Sequence, residues 1–329
     1  MPLFSVIIGT RNRPALFRHA LDSVLAQTCP DAEIIVVNDG SAAEHRAAYA
    51  AILEATDRVS AISLIPRPNG HGPSYVLNVG AAMASADYLC FLDDDDCWTD
   101  PEHLQRAQAV ITEASAPVDI YMSNQAAFLH NEERPGPMWL ADLPPILAKA
   151  ASRADRHGAY TVSVEELLQS LGFCHVNTLI VRRALYQEIG GMDETIRWES
   201  DHDLYLRLID RATVMKYAPV TVSRHNIPDP AKVANVTTAL SEVEKRLFQT
   251  RVFDRAALFA NHPGIRAHGR RHKAYALKKI ALSLVAAGRQ TEAAFYAREA
   301  LGAGPNVKWA AYTAWRTLSA FATRLRIKA

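Results

Sequence analysis

The stretch YLCFLDDDDCWTD, residues 88–100, decides how this chain is read. An apolar run from Tyr88 to Leu92 ends in four consecutive carboxylates, Asp93 to Asp96, and Cys97 and Trp98 follow at once. Like charges roughly 4 Å apart repel by about 1 kcal/mol in water, and several-fold more where the dielectric is lower. A surface loop would let them spread into solvent. Between an apolar strand and a Cys-Trp pair they need a compensating cation instead. Asp93 and Asp95 alternate along an extended chain, so both can face one side at the strand's end. Mg²⁺ and Mn²⁺ are held by such carboxylates together with substrate phosphates. The bland alternative is a solvated acidic turn.

Upstream, strand and helix patterns alternate. FSVIIGT (4–10) reads as a buried strand, and PALFRHALDSVLAQT (14–28) as a helix with Pro14 early and an apolar stripe. EIIVVNDGS (33–41) is a second strand ending in turn chemistry. A helix (43–56), a strand (59–66), a helix (73–85) and the strand that ends at Leu92 follow. This alternation implies right-handed βαβ units, a parallel sheet covered on both faces, and ligands at the carboxyl ends of its strands. Those ends carry Thr10-Arg11, Asn38-Asp39 and Asp93–Asp96. Residues 1–97 therefore read as a nucleotide-binding half, and residues 98–235 as an acceptor half.

That second half is less regular. Its proline-rich, aromatic-containing stretch (122–147) suits a lid or an acceptor wall. Ser163 and Glu166 have the spacing of a capping box at the start of a helix. A second helix is expected from about Ser200, and VMKYAPVTVSRHN (214–226) is strand-like. From about Thr237 the pattern becomes nearly all helical, so residues 236–329 form a helical C-terminal region. Two of its helices meet at Gly288, like a single tetratricopeptide-type hairpin.

The bulk numbers exclude more than they assign. The 329 residues suggest two domains, and the formal charge of +1 gives no argument for nucleic acid or an acidic partner. Cys29, Cys90, Cys97 and Cys174 form no C-x-x-C pair, which argues against a zinc site or a secreted disulfide framework. No basic leader and no bilayer-length apolar run is seen, so a cytoplasmic protein is expected. The tail (306–329) carries Lys308, Arg316, Arg324, Arg326 and Lys328 among Trp309, Tyr312 and Trp315. A packed helix with a solvated basic face is the plainer reading. An interfacial helix touching the inner face of a membrane is the alternative.

Three further positions carry chemistry or a structural equivalent. In WESDHDLYLRL (198–208), Asp201 falls in the first turn of the expected helix, where a carboxylate also suits the helix dipole. Glu199 and Asp203 are its rivals. Asp39 is either a turn former or an acceptor for a nucleobase N–H, and His225 is either a packed histidine or a ligand. P-loop, G-x-G-x-x-G and G-x-S-x-G patterns are absent.

Taken in order, FSVIIGTRNRPALFRHALDSVLAQT, EIIVVNDGS, ADYLCFLDDDDCW and IGGMDETIRWESDHDLYLRL resemble the inverting family-2 glycosyltransferases of the GT-A fold, over residues 3–230. The resemblance implies an α/β fold, a mostly parallel Rossmann-like sheet sandwiched by helices, here with a C-terminal helical extension. It implies Mn²⁺ or Mg²⁺, a nucleoside-diphosphate sugar donor (UDP-linked), and a hydroxyl acceptor in a polysaccharide, surface glycan or lipid-linked glycan. By position it assigns Thr10, Arg11, Asp39 and Asn69 to the nucleotide, Asp93 to the ribose or a metal-bound water, and Asp94 to a secondary contact. Asp95 and His225 go to the metal, and Asp201 becomes the general base. Gly9, Arg11 and Ser200 depart from the usual pattern, which has proline, an aromatic residue and glutamate there. The alternatives are a sugar nucleotidyltransferase and a catalytically silent binding module of the same fold.

Overall fold

The computed structural model describes residues 2–56, 58–134, 136, 138–229, 231 and 236–328. The chain falls into two compact units, Met1–Asp229 and Pro230–Ala329. Residues 232–235, where the expected domain boundary lies, are outside the described residues, as are Pro135 and Pro137 of the proline-rich stretch.

The first unit opens with β1 (Phe4–Thr10), α1 (Pro14–Leu25), β2 (Ala32–Asn38), α2 (Ala43–Glu54), β3 (Val59–Ser63), α3 (Pro73–Met83) and β4 (Tyr88–Asp93). It continues through β5 (Cys97–Trp98), α4 (His103–Thr112), β6 (Ile120–Leu129), β7 (Glu132–Glu133), α5 (Leu143–Lys149), β8 (Tyr160–Thr161) and α6 (Val164–Leu167). It closes with β9 (Leu179–Arg182), α7 (Arg183–Glu188), α8 (Ser200–Arg211) and β10 (Met215–Asn226). The strand order is β3-β2-β1-β4-β9-β6-β10-β5, with β7 on β6 and β8 on β10. β3, β2, β1 and β4 run parallel. β9 is antiparallel to both its neighbours, and β10 returns parallel to β6.

Burial follows the apolar patterns. Phe17, Ala20, Leu21 and Val24 form the inner face of α1 and pack with Val6, Ile8, Ile34, Val36, Cys90 and Leu92 of the sheet. The strand expected over 59–66 forms but ends at Ser63, and residues 60–63 are exposed because β3 is the edge of the sheet, with only β2 beside it. The expected helix after Ser163 is also shorter than its pattern. Its capping box forms, yet the helix ends at Leu167, and Gly172 then packs where a Cβ would strike the Trp139 backbone. All four cysteines are buried free thiols.

β1 is the switch point of the sheet, with β2 on one side and β4 on the other. Such a reversal opens a crevice beyond the carboxyl ends of the strands. In register, Gly9 pairs with Asp93 and Thr10 with Asn38, so the chemistry-bearing residues line that crevice. Gly9, where the resembling family usually has proline, has a local cause: a Cβ there would lie 2.5 Å from Val76 Cγ1 of α3.

The second unit is helical: α9 (Val236–Ala239), α10 (Glu242–Phe259), α11 (Pro263–Ala286), α12 (Gln290–Ala303) and α13 (Val307–Lys328). From α11 on, each helix packs on the one before it. Leu277, Ile280, Leu284, Ala293 and Ala300 form its core. The α11–α12 junction is at Gly288, whose φ of 75° suits a residue without a Cβ. The division also corrects the argument from net charge. Residues 1–229 hold 18 Lys and Arg against 30 Asp and Glu, whereas residues 230–329 hold 18 against 5. Formal charges of −12 and +13 cancel to the unremarkable +1.

Candidate active site

The four carboxylates at the end of β4 are not equivalent. Buried and accessible side chains alternate: Asp94 and Asp96 are buried, while Asp93 and Asp95 remain partly open, at 37% and 27%. The expected alternation along an extended chain stops at Asp93: β4 ends there, and the Asp96 N–H donates to the Asp93 carbonyl (3.1 Å), closing a turn in which each charge meets its own answer.

Asp94 accepts a hydrogen bond from the Thr10 hydroxyl (2.6 Å) and is paired with Arg13. Because the Thr10 proton is committed to Asp94, the Tyr49 hydroxyl donates to Thr10 Oγ1 (2.7 Å), and Tyr49 in turn accepts from the Arg13 backbone N–H (3.0 Å). Arg13 also reaches Asp95 at 2.7 Å. Burial would lower the Arg13 pKa, but Asp94, Asp95 and Asp93 more than offset it and raise it. Burial pushes Asp94 up to about 6, against the pull of Arg13. Arg13 and Tyr49 escaped the sequence reading. Arg13 lies two residues after Arg11 in an arginine-rich turn, where nothing local says which arginine faces the acids.

Asp96 accepts from His225 Nδ1 (2.7 Å), the Asn226 backbone N–H (2.6 Å) and Asn177 Nδ2 (2.5 Å). Asn177 Oδ1 accepts the Asp93 backbone N–H at 3.0 Å, so one amide side chain ties both ends of the acidic run. Burial opposes a charge on His225, yet Asp96 and the Asp93 and Asp95 fields carry its pKa up to about 9. With Nδ1 held by Asp96, Nε2 is the ring atom presented to a ligand, the arrangement typical of a metal-binding histidine.

Asp93 and Asp201 converge from different elements on a residue that the sequence reading passed over. His175 Nε2 lies 3.5 Å from Asp201 and 3.9 Å from Asp93. Its Nδ1 accepts the Asn177 backbone N–H (3.3 Å), so the ring proton sits on Nε2 and points at the two carboxylates. Burial, with His225 beside it, lowers its pKa to about 3, so the ring is neutral. Burial raises Asp201, and burial with Asp96, Asp95 and Asp94 raises Asp93 well above the usual carboxylate range. Trp139 stands edge-on to both histidines, with ring centroids at 6.0 Å and 5.2 Å. Trp139 (φ 52°) and Glu199 (φ 59°), which precedes α8, are both left-handed non-glycine residues, a strain that gathers at functional sites. The rivals of Asp201 are engaged elsewhere: Asp203 is 1% exposed and paired with Arg207 at 2.8 Å, and Glu199 lies 3.4 Å from His202. The sole sequence signal for His175 is a histidine in an apolar stretch before a strand, which is weak.

The remaining predicted residues form a second group beyond β1 and β2. Asp39 accepts the His71 and Gly72 backbone N–H groups (2.8 and 3.2 Å) and meets the His71 ring at 3.0 Å. Gly70, at φ 65°, leaves no room for a Cβ beside that carboxylate. His71 stacks on Tyr75, with centroids 5.0 Å apart. Arg11 donates to the Arg67 and Pro68 carbonyls (3.0 Å each), and Asn69 is exposed in the same turn.

The acidic cluster offers carboxylate oxygens and one imidazole, a donor chemistry that fits Mg²⁺ or Mn²⁺. Among the described residues no three ligating side chains surround one point, so the chain builds no closed cage. Mg²⁺ sites of that kind draw their remaining ligands from substrate phosphates and water.

The family model for glycosyl transferase family 2 matches residues 5–190. The succinoglycan biosynthesis protein ExoW of Rhizobium meliloti is 29% identical over 194 residues, 56% of this chain and 56% of its own length. A PGL/p-HBAD biosynthesis glycosyltransferase of Mycobacterium bovis is 27% identical over 226 residues, 68% of this chain and 77% of its own. Among solved structures, S. aureus TarS 1–349 in complex with UDP-GlcNAc superposes with a TM-score of 0.67 at 18% identity, covering 93% of this chain and 82% of that one. The mannosyltransferase PcManGT from Pyrobaculum calidifontis, in complex with GDP-Man and Mn²⁺, gives 0.58 at 16% identity, covering 96% and 84%. The structural likeness shows a GT-A fold, and with the family model spanning more than half of its length, the chain belongs to glycosyl transferase family 2.

Proposed function

We propose that this protein transfers a sugar from a nucleoside-diphosphate sugar, UDP-linked, to a hydroxyl of a glycan or lipid-linked acceptor, inverting the anomeric carbon. The observation that carries this reading is the meeting of Asp93 and Asp201 at His175. A strand-end carboxylate suited to the donor and a carboxylate suited to proton transfer thereby lie within 4 Å of one imidazole nitrogen, at 3.9 and 3.5 Å. Asp201 takes the acceptor proton as the acceptor oxygen attacks, and its raised pKa makes it a stronger base than an exposed carboxylate. Asp39, Arg11 and Asn69 form the nucleobase side, Thr10 and Asp94 brace the acidic run, and Asp93 faces the ribose. Asp95 and His225 would hold Mg²⁺ or Mn²⁺, which when bound neutralises charge on the leaving diphosphate. The bound UDP-GlcNAc and Mn²⁺ of two similar structures support this assignment by analogy of fold. A screen of nucleotide sugars by thermal shift, with and without Mn²⁺, tests it. Turnover releasing pyrophosphate rather than nucleoside diphosphate would instead establish a nucleotidyltransferase.

His175 is a positioning residue in this scheme. His175→Gln keeps a donor N–H near the place of Nε2, whereas His175→Phe keeps the ring volume and removes the donor. The phenylalanine variant is expected to lose about tenfold or more in kcat with little change in donor KM, and the glutamine variant to recover much of it. Equal loss in both would assign His175 to packing.

Metal affinity should depend on pH. A His225 pKa of about 9 means that a proton occupies the imidazole at neutral pH and competes with a cation. Mn²⁺ binding, followed by calorimetry, is expected to tighten as pH rises towards that value and to release a proton. In His225→Asn the dependence should flatten.

A further inference from the structure

The C-terminal unit presents an arrangement that its own fold does not explain. α13 packs on α12 through a mixed face, Trp309, Thr313, Arg316 and Ala320. Trp309 Nε1 and the Thr313 hydroxyl both donate to the Ala297 carbonyl (2.9 and 3.2 Å), and Arg316 reaches Gln290 at 3.2 Å. The opposite face, at helical spacing, is Val307, Ala311, Trp315, Leu318 and Phe321. Four of these are large and exposed: Val307 at 87%, Trp315 at 55%, Leu318 at 70% and Phe321 at 62%. A helix in water normally buries a stripe of this kind rather than presenting it to solvent. α11 carries a related outward stripe, Arg271, Tyr275, Lys279 and Leu282, in which cations alternate with exposed aromatic and aliphatic side chains.

Charge selects the occupant. The unit is formally +13, so its complement is anionic. A nucleic acid or an acidic glycan would satisfy the arginines and lysines and leave exposed Val307, Leu318 and Phe321 in water. An anionic lipid surface takes both: headgroups meet the cations while apolar side chains enter the acyl boundary. Among the described residues no helix is long and apolar enough to cross a membrane, so the contact is one of lying on the surface. We propose that the C-terminal helical unit is a docking module for anionic membranes, using the outer face of α13 and the cationic stripe of α11. It holds whatever the catalytic unit transfers.

The test is co-sedimentation of the full chain with phosphatidylglycerol–phosphatidylethanolamine vesicles and with pure phosphatidylcholine vesicles. Binding is expected to the anionic vesicles alone and to weaken with salt. Leu318→Glu with Phe321→Glu, and separately Arg271→Glu with Lys279→Glu, should each reduce partitioning by about tenfold or more, with helix content by circular dichroism unchanged. No binding to anionic vesicles overturns the proposal. So does vesicle binding that survives Leu318→Glu with Phe321→Glu while light scattering shows a dimer becoming a monomer, since the α13 face would then be a surface for a second copy. Binding of inorganic polyphosphate with no binding to vesicles also overturns it, leaving a polyanion site.

Discussion

Asp201→Asn is expected to lower kcat by about 10²- to 10⁴-fold, the usual range for removing a general base, while leaving the affinity for UDP unchanged. The same substitution should raise the melting temperature. Burial lifts the Asp201 pKa above its ordinary 3.8, so the folded protein prefers the protonated carboxyl. That contribution to stability is complete below the unfolded pKa and is lost as pH rises through the raised, folded value. At neutral pH the ionised carboxylate therefore costs stability, and a neutral amide removes that cost; its oxygen keeps the His202 N–H (2.9 Å), while its NH2, turned to His175 Nε2 (3.5 Å), offsets part of the gain. A gain of a few degrees is the expected size. In the wild-type enzyme the acid limb of kcat/KM should lie above the ordinary carboxylate value, because the reactive form is the ionised one. Calorimetry, nucleotide binding and a diphosphate-release assay on the two proteins read all three effects. Unchanged turnover in Asp201→Asn would sink the mechanism.

Arg13→Met should destabilise the first unit by about 2 kcal/mol at pH 8. Breaking a fully buried pair costs about 3–5 kcal/mol, but this guanidinium is 34% exposed and is discounted for solvent screening. The penalty should shrink towards pH 5. Asp94, already raised to about 6 with Arg13 present, rises further without it and takes a proton instead of standing uncompensated. Its contribution is thus full at acid pH and is lost as pH rises through that value. Arg13→Met with Asp94→Asn should recover most of the loss, since the Thr10 hydroxyl keeps an acceptor. Urea denaturation at the two pH values checks it. A penalty independent of pH, or no recovery in the double variant, would remove Asp94 as the reason for Arg13.

Much of this protein could be read from sequence because its decisive signals are local. The apolar runs of β1, β2 and β4, the stripe of α1 and the Ser163–Glu166 cap are patterns within a dozen residues, and each formed where its pattern lay. The partial exposure of Asp93 and Asp95 beside buried Asp94 and Asp96 has another origin: it comes from the turn that the Asp96 N–H closes on the Asp93 carbonyl (3.1 Å), not from an extended backbone.

What only the tertiary structure decided depends on residues far apart in the chain. His175 is the acidic run's neighbour in space rather than in sequence, and its tautomer is set by a backbone N–H that exists only once the turn at Asn177 forms. Arg13 rather than Arg11 meets the acids, because Arg11 is taken up by the Arg67 and Pro68 carbonyls, far along the chain. The charge of each unit emerged only when the chain was divided, because opposite charges on separate bodies cancel in a sum over the whole sequence. Residue types and local periods are written along the chain, but which charge answers which carboxylate is settled by the distances that folding creates.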